Sequence, residues 1–406
     1  MIFAHKIALD ITETQETYCR KAAGTARFTY NFGLAHWQMQ YRNGDKPTAD
    51  KLKKYWNAIK YERYPWLEDI HRDAHAQPFT NLNAGFQRFF QNVKDRKAGK
   101  TTIKVGYPTF KKKGVHDSFY IANDKVHVQG KRLRIPKLGW VRMREALRFT
   151  GKLMSAVVSR TADRWYVSLS VQIDTLPRVC ENQAGRVGVD LGVSHLVTLS
   201  TGEQIDGPKP LKAAMKKLRR LSRELARRVK FSANWSKTQR QLGRLHARIA
   251  AIRTDALHKL TTALVQGHTE IVIEDLHVSG MVQNRHLARA ISDMGLGTFR
   301  RLLTYKAEAY GCVVHVAHRW FPSSKVCRLC GVVNDTLTLE DRLFVCGDCG
   351  HTEDRDLHAA KNLEAYPGLQ GNETPVESPA LARSQGSRET ELGEAGTNQS
   401  ALLRTL

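Results

Sequence analysis

Residues 326–363 read VCRLCGVVNDTLTLEDRLFVCGDCGHTEDRDLHAAKNL, and this stretch decides how the rest of the chain divides. Cys327-x2-Cys330 and Cys346-x2-Cys349 are separated by fifteen residues, the spacing of a four-thiolate zinc site. Each CxxC folds into a tight knuckle that points two sulfurs at one ion. Gly331 and Gly350 follow the pairs, where a knuckle needs relaxed backbone angles. Four sulfurs close the coordination sphere, so the Zn²⁺ expected here is structural and not catalytic. A redox dithiol pair is the alternative. Directly behind the second knuckle stands EDRD, residues 353–356, opening the helix DLHAAKNL. A ribbon alone has no use for acids there.

Helix geometry separates the two aspartates. From Asp356, steps of three, four and seven reach Ala359, Ala360 and Leu363, a small apolar stripe that turns inward. From Asp354 the same steps reach Leu357, His358 and Lys361, a mostly polar face. Asp356 is therefore expected to face the core and Asp354 to cap the helix. Two further acids end apolar strands: Asp190 closes RVGVD before Leu191-Gly192, and Glu274 closes IVIE. By strand alternation Asp275 faces away from Glu274. A lone acid at such a place is ordinarily a cap or a salt-bridge partner. Three of them at the ends of apolar elements are costly to gather unless cations neutralise them. Two Mg²⁺ (or Mn²⁺) ions on shared carboxylates form the usual clamp for phosphodiester hydrolysis.

Working outward, 406 residues suggest two or three modules, and 64 Lys+Arg against 39 Asp+Glu leave a net charge of +25. So basic a chain points to a polyanion, nucleic acid first; the alternatives are a cationic surface kept for solubility and an anionic membrane. No signal peptide and no apolar run long enough to cross a bilayer is visible. Four of the seven cysteines sit in the CxxC pairs, and Cys19, Cys180 and Cys312 suggest no disulfide framework. A reducing cytoplasm, bacterial or archaeal and close to the nucleoid, fits.

Apolar residues at helical spacing run from Glu13 to Gly44 (Ala23, Ala26, Tyr30, Leu34, Trp37, Tyr41) and again from Pro78 to Lys97. These stripes read as a helical core in preference to a base-stacking surface. Between residues 101 and 174 the period becomes two: Trp165, Val167, Leu169, Val171 and Ile173 alternate with polar residues, LMSAVVSRTAD forms the hairpin partner, and KVHVQGKRLRIP turns at Gly130. Short basic strands of this kind suggest a small β-barrel. A linker covers 175–185, two long basic helices run from Pro208 to about His268, and EIVIE reads as a central strand buried on both faces. Beyond residue 367 the composition turns Gly/Ser/Thr/Glu/Pro-rich, as in a disordered tail.

The order VGVDLG, IVIEDL, CxxCG…CxxCG, DRDxxAAxN, with FPSSK (Phe321 to Lys325) leading into the cysteines, resembles the TnpB family of transposon-encoded proteins, ancestral to type V CRISPR effectors. GTARFTYNFGLA (Gly24 to Ala35) and VGYPTFKKK (Val105 to Lys113) are similar to its helical and β-module segments. The resemblance implies an α/β multidomain chain: an RNase H-like RuvC nuclease domain with an inserted zinc ribbon, plus a β-barrel wedge module carrying an inserted helical recognition lobe. On this chain the expected segments are 1–12 for the first wedge strand, 13–100 for the helical lobe and 101–180 for the wedge barrel. They continue with 181–322 for the first two nuclease motifs and the basic helices, 323–351 for the ribbon, 352–368 for the third motif helix and 369–406 for the tail. Asp190, Glu274 and Asp356 match the family's catalytic, Mg²⁺-binding acids, and Cys327, Cys330, Cys346 and Cys349 its Zn²⁺ ligands. His358 stands where the family usually has Asn. The partners implied are a guide RNA derived from the transposon end and double-stranded target DNA bearing a short adjacent motif. The implied activity is RNA-guided DNA cleavage. A compact type V CRISPR effector shares every residue named, and a nuclease-dead repressor would have lost acids that are present here. A strand transferase lacks its His-x-His and Tyr nucleophile constellation in this chain.

Overall fold

The computed structural model describes residues 1–173, 183–338 and 340–366, and the chain divides near residue 174 into two compact units. Of the expected linker (175–185), residues 175–182 lie outside the described residues, whereas Ala184 and Gly185 already belong to a strand that runs to Asp190; the expected disordered tail lies wholly outside them.

The first unit begins with strand β1 (Ile2–Asp10) and three helices, α1 (Glu13–Arg42), α2 (Ala49–Arg63) and α3 (Arg72–Lys97). Thr12 caps α1 through a capping box with Gln15, which fixes where the helix starts. Helix α3 starts six residues ahead of the expected Pro78, which sits inside it. The helical stripes are a core: Leu34, Trp56, Phe79, Leu82 and Phe86 are buried, and Trp37 stacks on Phe86 at 3.8 Å. Strands β2 (Ser118–Ala122), β3 (His127–Gln129), β4 (Arg132–Ile135), β5 (Gly139–Met143), β6 (Lys152–Thr161) and β7 (Arg164–Gln172) follow. With β1 they form one sheet in the order β2-β6-β7-β1-β5-β4-β3. The hairpins β6–β7 and β3–β4 are where the alternation places them, and Gly130 turns the second with φ +54°.

The expected barrel does not close. Among the described residues β2 and β3 are the free ends of the sheet and do not pair. Strand β3 is only three residues long, and the core that closure would seal is filled by Cys19, Ala22, Ala23, Ile70 and Ala74 from the helical segment.

The second unit is built on strands β8 (Ala184–Asp190), β9 (Val197–Leu199) and β10 (Gln204–Ile205), then helices α4 (Pro210–Arg227) and α5 (Ala233–Gly267). Strand β11 (His268–Glu274), helices α6 (Val278–Met281), α7 (Ala288–Met294) and α8 (Leu296–Tyr310), and strand β12 (Val313–Ala317) complete its body. The sheet order is β10-β9-β8-β11-β12, with β8, β11 and β12 parallel. Ile271, Val272 and Ile273 of β11 are fully buried, as a strand covered on both faces requires. Each such side chain contributes about 1.5–3 kcal/mol of transfer free energy, an upper figure. The chain then enters the cysteine-rich segment, whose hairpin β13 (Leu343–Val345) and β14 (Thr352–Asp354) leads into helix α9 (Arg355–Glu364). Among the described residues no helix is long and apolar enough to cross a membrane.

Candidate active site

Three parallel strands point their carboxyl ends the same way, and that edge gathers the acids. Register pairs Ile273 with Val189, which sets Glu274 beside Asp190. Helix α9 crosses the sheet at Gly188, where a Cβ would meet the Ala360 carbonyl oxygen at 1.9 Å. Only glycine lets the helix lie so close, and the close approach brings Asp356 to the strand ends. Asp354 caps α9, its carboxylate accepting from the N–H groups of Asp356 at 3.1 Å and Leu357 at 3.0 Å. Ala359, Ala360 and Leu363 are buried, as the helix stripe requires.

The electrostatics mark the spot. Burial pushes the Asp190 carboxyl well above the usual range, the negative charges of Glu274 and Asp356 push it further, and Arg355 pulls partly back. Burial also raises Glu274, against a hydrogen bond from the Ser323 hydroxyl. Arg355 reaches Asp356 at 3.4 Å. The three carboxylates do not converge within 4.8 Å of one another, as the two metal-type clusters of the described residues do. Glu274 is turned onto Ser323. Hard oxygen donors set around a buried, cation-poor spot fit Mg²⁺ or Mn²⁺. Asp275 faces elsewhere, gripped by Arg300 and Arg319 at 2.5 Å each.

The first metal-type cluster is Cys327, Cys330, Cys346 and Cys349. Cys327 and Cys349 sulfurs lie 3.6 Å apart, and those of Cys330 and Cys346 3.5 Å. A zinc tetrahedron with bonds of about 2.3 Å has edges of about 3.8 Å, so the sulfurs stand where Zn²⁺ would hold them. Gly331 and Gly350 have φ of +76° and +70°, the left-handed turns of the two knuckles. The second cluster, His351, Glu353 and His358, is a brace and not a cation site, because Lys361 and Arg328 already neutralise Glu353.

That brace packs the mostly polar face of α9: His358 is completely buried, stacked on Phe344 of the ribbon at 3.9 Å and bonded through Nε2 to the Val326 carbonyl at 2.8 Å. The ribbon covers that face. Sequence reasoning also missed Ser323 and Asn362. The buried Asn362 amide of α9 donates to the carbonyls of Ser323 at 2.6 Å and Val326 at 2.8 Å, so the helix that carries Asp356 also holds the residue that holds Glu274. FPSSK was visible as a motif, but the partner of its serine was not.

Residues 168–285 match the OrfB family of IS605 elements, described as "Probable transposase". Residues 297–363 match the "Cas12f1-like, TNB domain". Residues 1–46 match a "Helix-turn-helix domain", although here they form one strand and one long helix, β1 and α1. The Escherichia coli (strain K12) "Putative RNA-guided DNA endonuclease InsQ" is 33% identical over 89% of this chain and 91% of its own length. A "Putative RNA-guided DNA endonuclease" of Streptomyces pristinaespiralis is 34% identical over 95% of each chain. The solved "Cas12f1-sgRNA-target DNA complex" shares the fold, with a TM-score of 0.52 at 15% identity over 87% of this chain and 83% of that one. The chain belongs to the TnpB/OrfB family of IS605 elements, with a Cas12f1-like zinc-ribbon domain.

Proposed function

We propose that this chain is an RNA-guided, metal-dependent DNA endonuclease encoded by a transposon, cutting target DNA beside a short adjacent motif with a RuvC-type site. One observation carries the proposal: Asp190, Glu274 and Asp356 come from three separate elements to one carboxyl edge, where burial and each other's charge raise the Asp190 pKa. A protein gains nothing in stability from that arrangement. It gains a place for two divalent cations.

Asp190, Glu274 and Asp356 are the residues that would hold Mg²⁺. Held there, such ions would act as a Lewis acid and would lower the pKa of water for phosphodiester hydrolysis. The Ser323 hydroxyl fixes the Glu274 carboxylate from the side, and Asn362 fixes Ser323. Arg355 tempers the acids' repulsion. The zinc ribbon sets where α9 begins, and so where Asp356 stands. The net charge of +25 suits long contact with guide-RNA and DNA phosphates, sequence choice being left to base pairing. The names of the curated relatives support the same reading.

Purifying the protein from its host and sequencing the RNA that accompanies it tests the class. A discrete RNA running into a transposon end is expected. A repeat-derived RNA would make the chain a CRISPR effector, and no RNA at all would sink the guided reading.

A further inference from the structure

The loop that joins β12 to the ribbon presents the most exposed large apolar side chain of the described residues, Trp320, at 81%. Isolated exposed side chains are common on protein surfaces and ordinarily need no explanation. This one differs because its loop is fixed and because of what fixes it. At one end Ala317 is the register partner of Glu274. At the other end the Ser323 hydroxyl donates to the Glu274 carboxylate. Between them the Trp320 N–H bonds to His318 Nδ1 at 3.3 Å and the Phe321 N–H to the His318 carbonyl at 2.9 Å. Phe321 packs edge-on against Tyr366 at 4.9 Å, and the Tyr366 hydroxyl accepts from the His318 N–H at 3.1 Å. The indole is held out into solvent by a loop pinned at both ends to a candidate catalytic acid. Three residues of chain reach at most about 11 Å, so Trp320 stands within a few nucleotides of Glu274.

Its surroundings have one chemical character. Arg319 and Arg300 flank an open surface hollow that Trp320 and Asp275 also line. Both guanidiniums bind Asp275 at 2.5 Å, and their side chains remain 46% and 39% exposed. Two cations on one carboxylate leave a net positive charge, with donors still facing water. A rigid aromatic face beside oriented guanidiniums fits a base and its phosphate on one unpaired strand.

We infer that Trp320, with Arg319 and Arg300, forms a stacking subsite for single-stranded DNA leading into the carboxylate site. This rests on the nuclease reading for what happens at Glu274, but stacking itself can be read without cutting. The occupant is a single strand, because a base inside a duplex offers no free face to an indole.

The test uses the full chain with its co-purified RNA, in EDTA, and a short DNA oligonucleotide carrying 5-iodouracil. Irradiation and mass spectrometry then locate the crosslinked peptide. Crosslinks are expected on the peptide containing Trp320. They should persist in Trp320→Phe, and half-saturation should need at least about fivefold more oligonucleotide in Trp320→Ala, the lower end of one lost stacking contact. Melting temperatures should match, since the indole is exposed. In Mg²⁺, Trp320→Ala should cut more slowly while guide-dependent capture of target DNA is unchanged. Crosslinks that map elsewhere and are indifferent to Trp320→Ala would overturn the subsite, whatever the nuclease does. Crosslinking through Trp320 in a protein that cuts nothing would uphold the subsite and overturn the nuclease reading.

Discussion

Replacing Gly188 by alanine tests how the third acid reaches the other two. The added Cβ would lie 1.9 Å from the Ala360 carbonyl oxygen and 2.5 Å from the Glu364 nitrogen, both backbone atoms of α9. Real Cβ contacts essentially never fall below 3.0 Å, so the helix must retreat by about 1.1 Å or more. No side-chain rotation relieves a clash with backbone. Overpacking of this kind costs about 1–3 kcal/mol of stability. The functional cost should be larger, because a displacement of about 1 Å at a reacting centre can lower a rate about 100-fold. Thermal melting of Gly188→Ala should therefore show a modest drop, while single-turnover cleavage of guide-matched DNA falls about 100-fold with RNA still bound. Gly185→Ala, on the same strand with no heavy atom within 4 Å of its Cβ, is the control. Cleavage by Gly188→Ala within threefold of the parent would refute the packing of α9 as the determinant of Asp356's position.

Cys327→Ser should lower the melting temperature and the yield together, since metal binding in such ribbons is folding free energy, and a strong zinc chelator should reproduce the loss in the parent. Ser323→Ala removes a hydrogen bond to a carboxylate, worth about 1.5–3 kcal/mol, so cleavage should fall roughly tenfold or more and need more Mg²⁺. Asp190→Asn should stop cleavage yet raise the melting temperature of the metal-free protein. The sign follows from the raised pKa: the folded state holds that proton more tightly than the unfolded one. The contribution of Asp190 to metal-free stability is then fullest below the ordinary aspartate range and is lost as pH rises through its raised folded-state pKa, a component of the pH slope that Asp190→Asn should remove.

Much of this site is visible in the chain because strands and helices end for physical reasons. An apolar run buried on both faces must stop where a charge begins, which puts Asp190 and Glu274 at the ends of β8 and β11. Helical periodicity distinguishes Asp356 from the cap Asp354 without any coordinates. What stays hidden depends on contacts between segments far apart in sequence. Nothing local to His358 says that Phe344 will stack on it, so its mostly polar face of α9 carries no sign that the ribbon covers it. Ser323 and Glu274 are 49 residues apart, and their bond has no periodic signature. Sheet closure failed for the same reason. Alternation reports which face of a strand is buried, but not that Ala22, Ala23 and Ala74 of the helices will pack into the same core as the sheet.

The most direct measurement is guide-matched DNA cleavage by the parent and by Asp190→Ala, Glu274→Ala and Asp356→Ala, each purified with its RNA. The parent should cut in Mg²⁺ and stop in EDTA, and each variant should keep its RNA, capture target DNA and leave it intact. Cutting that survives any one of the three substitutions would contradict the assignment of the carboxylates at the ends of β8 and β11 and the start of α9 as the active site.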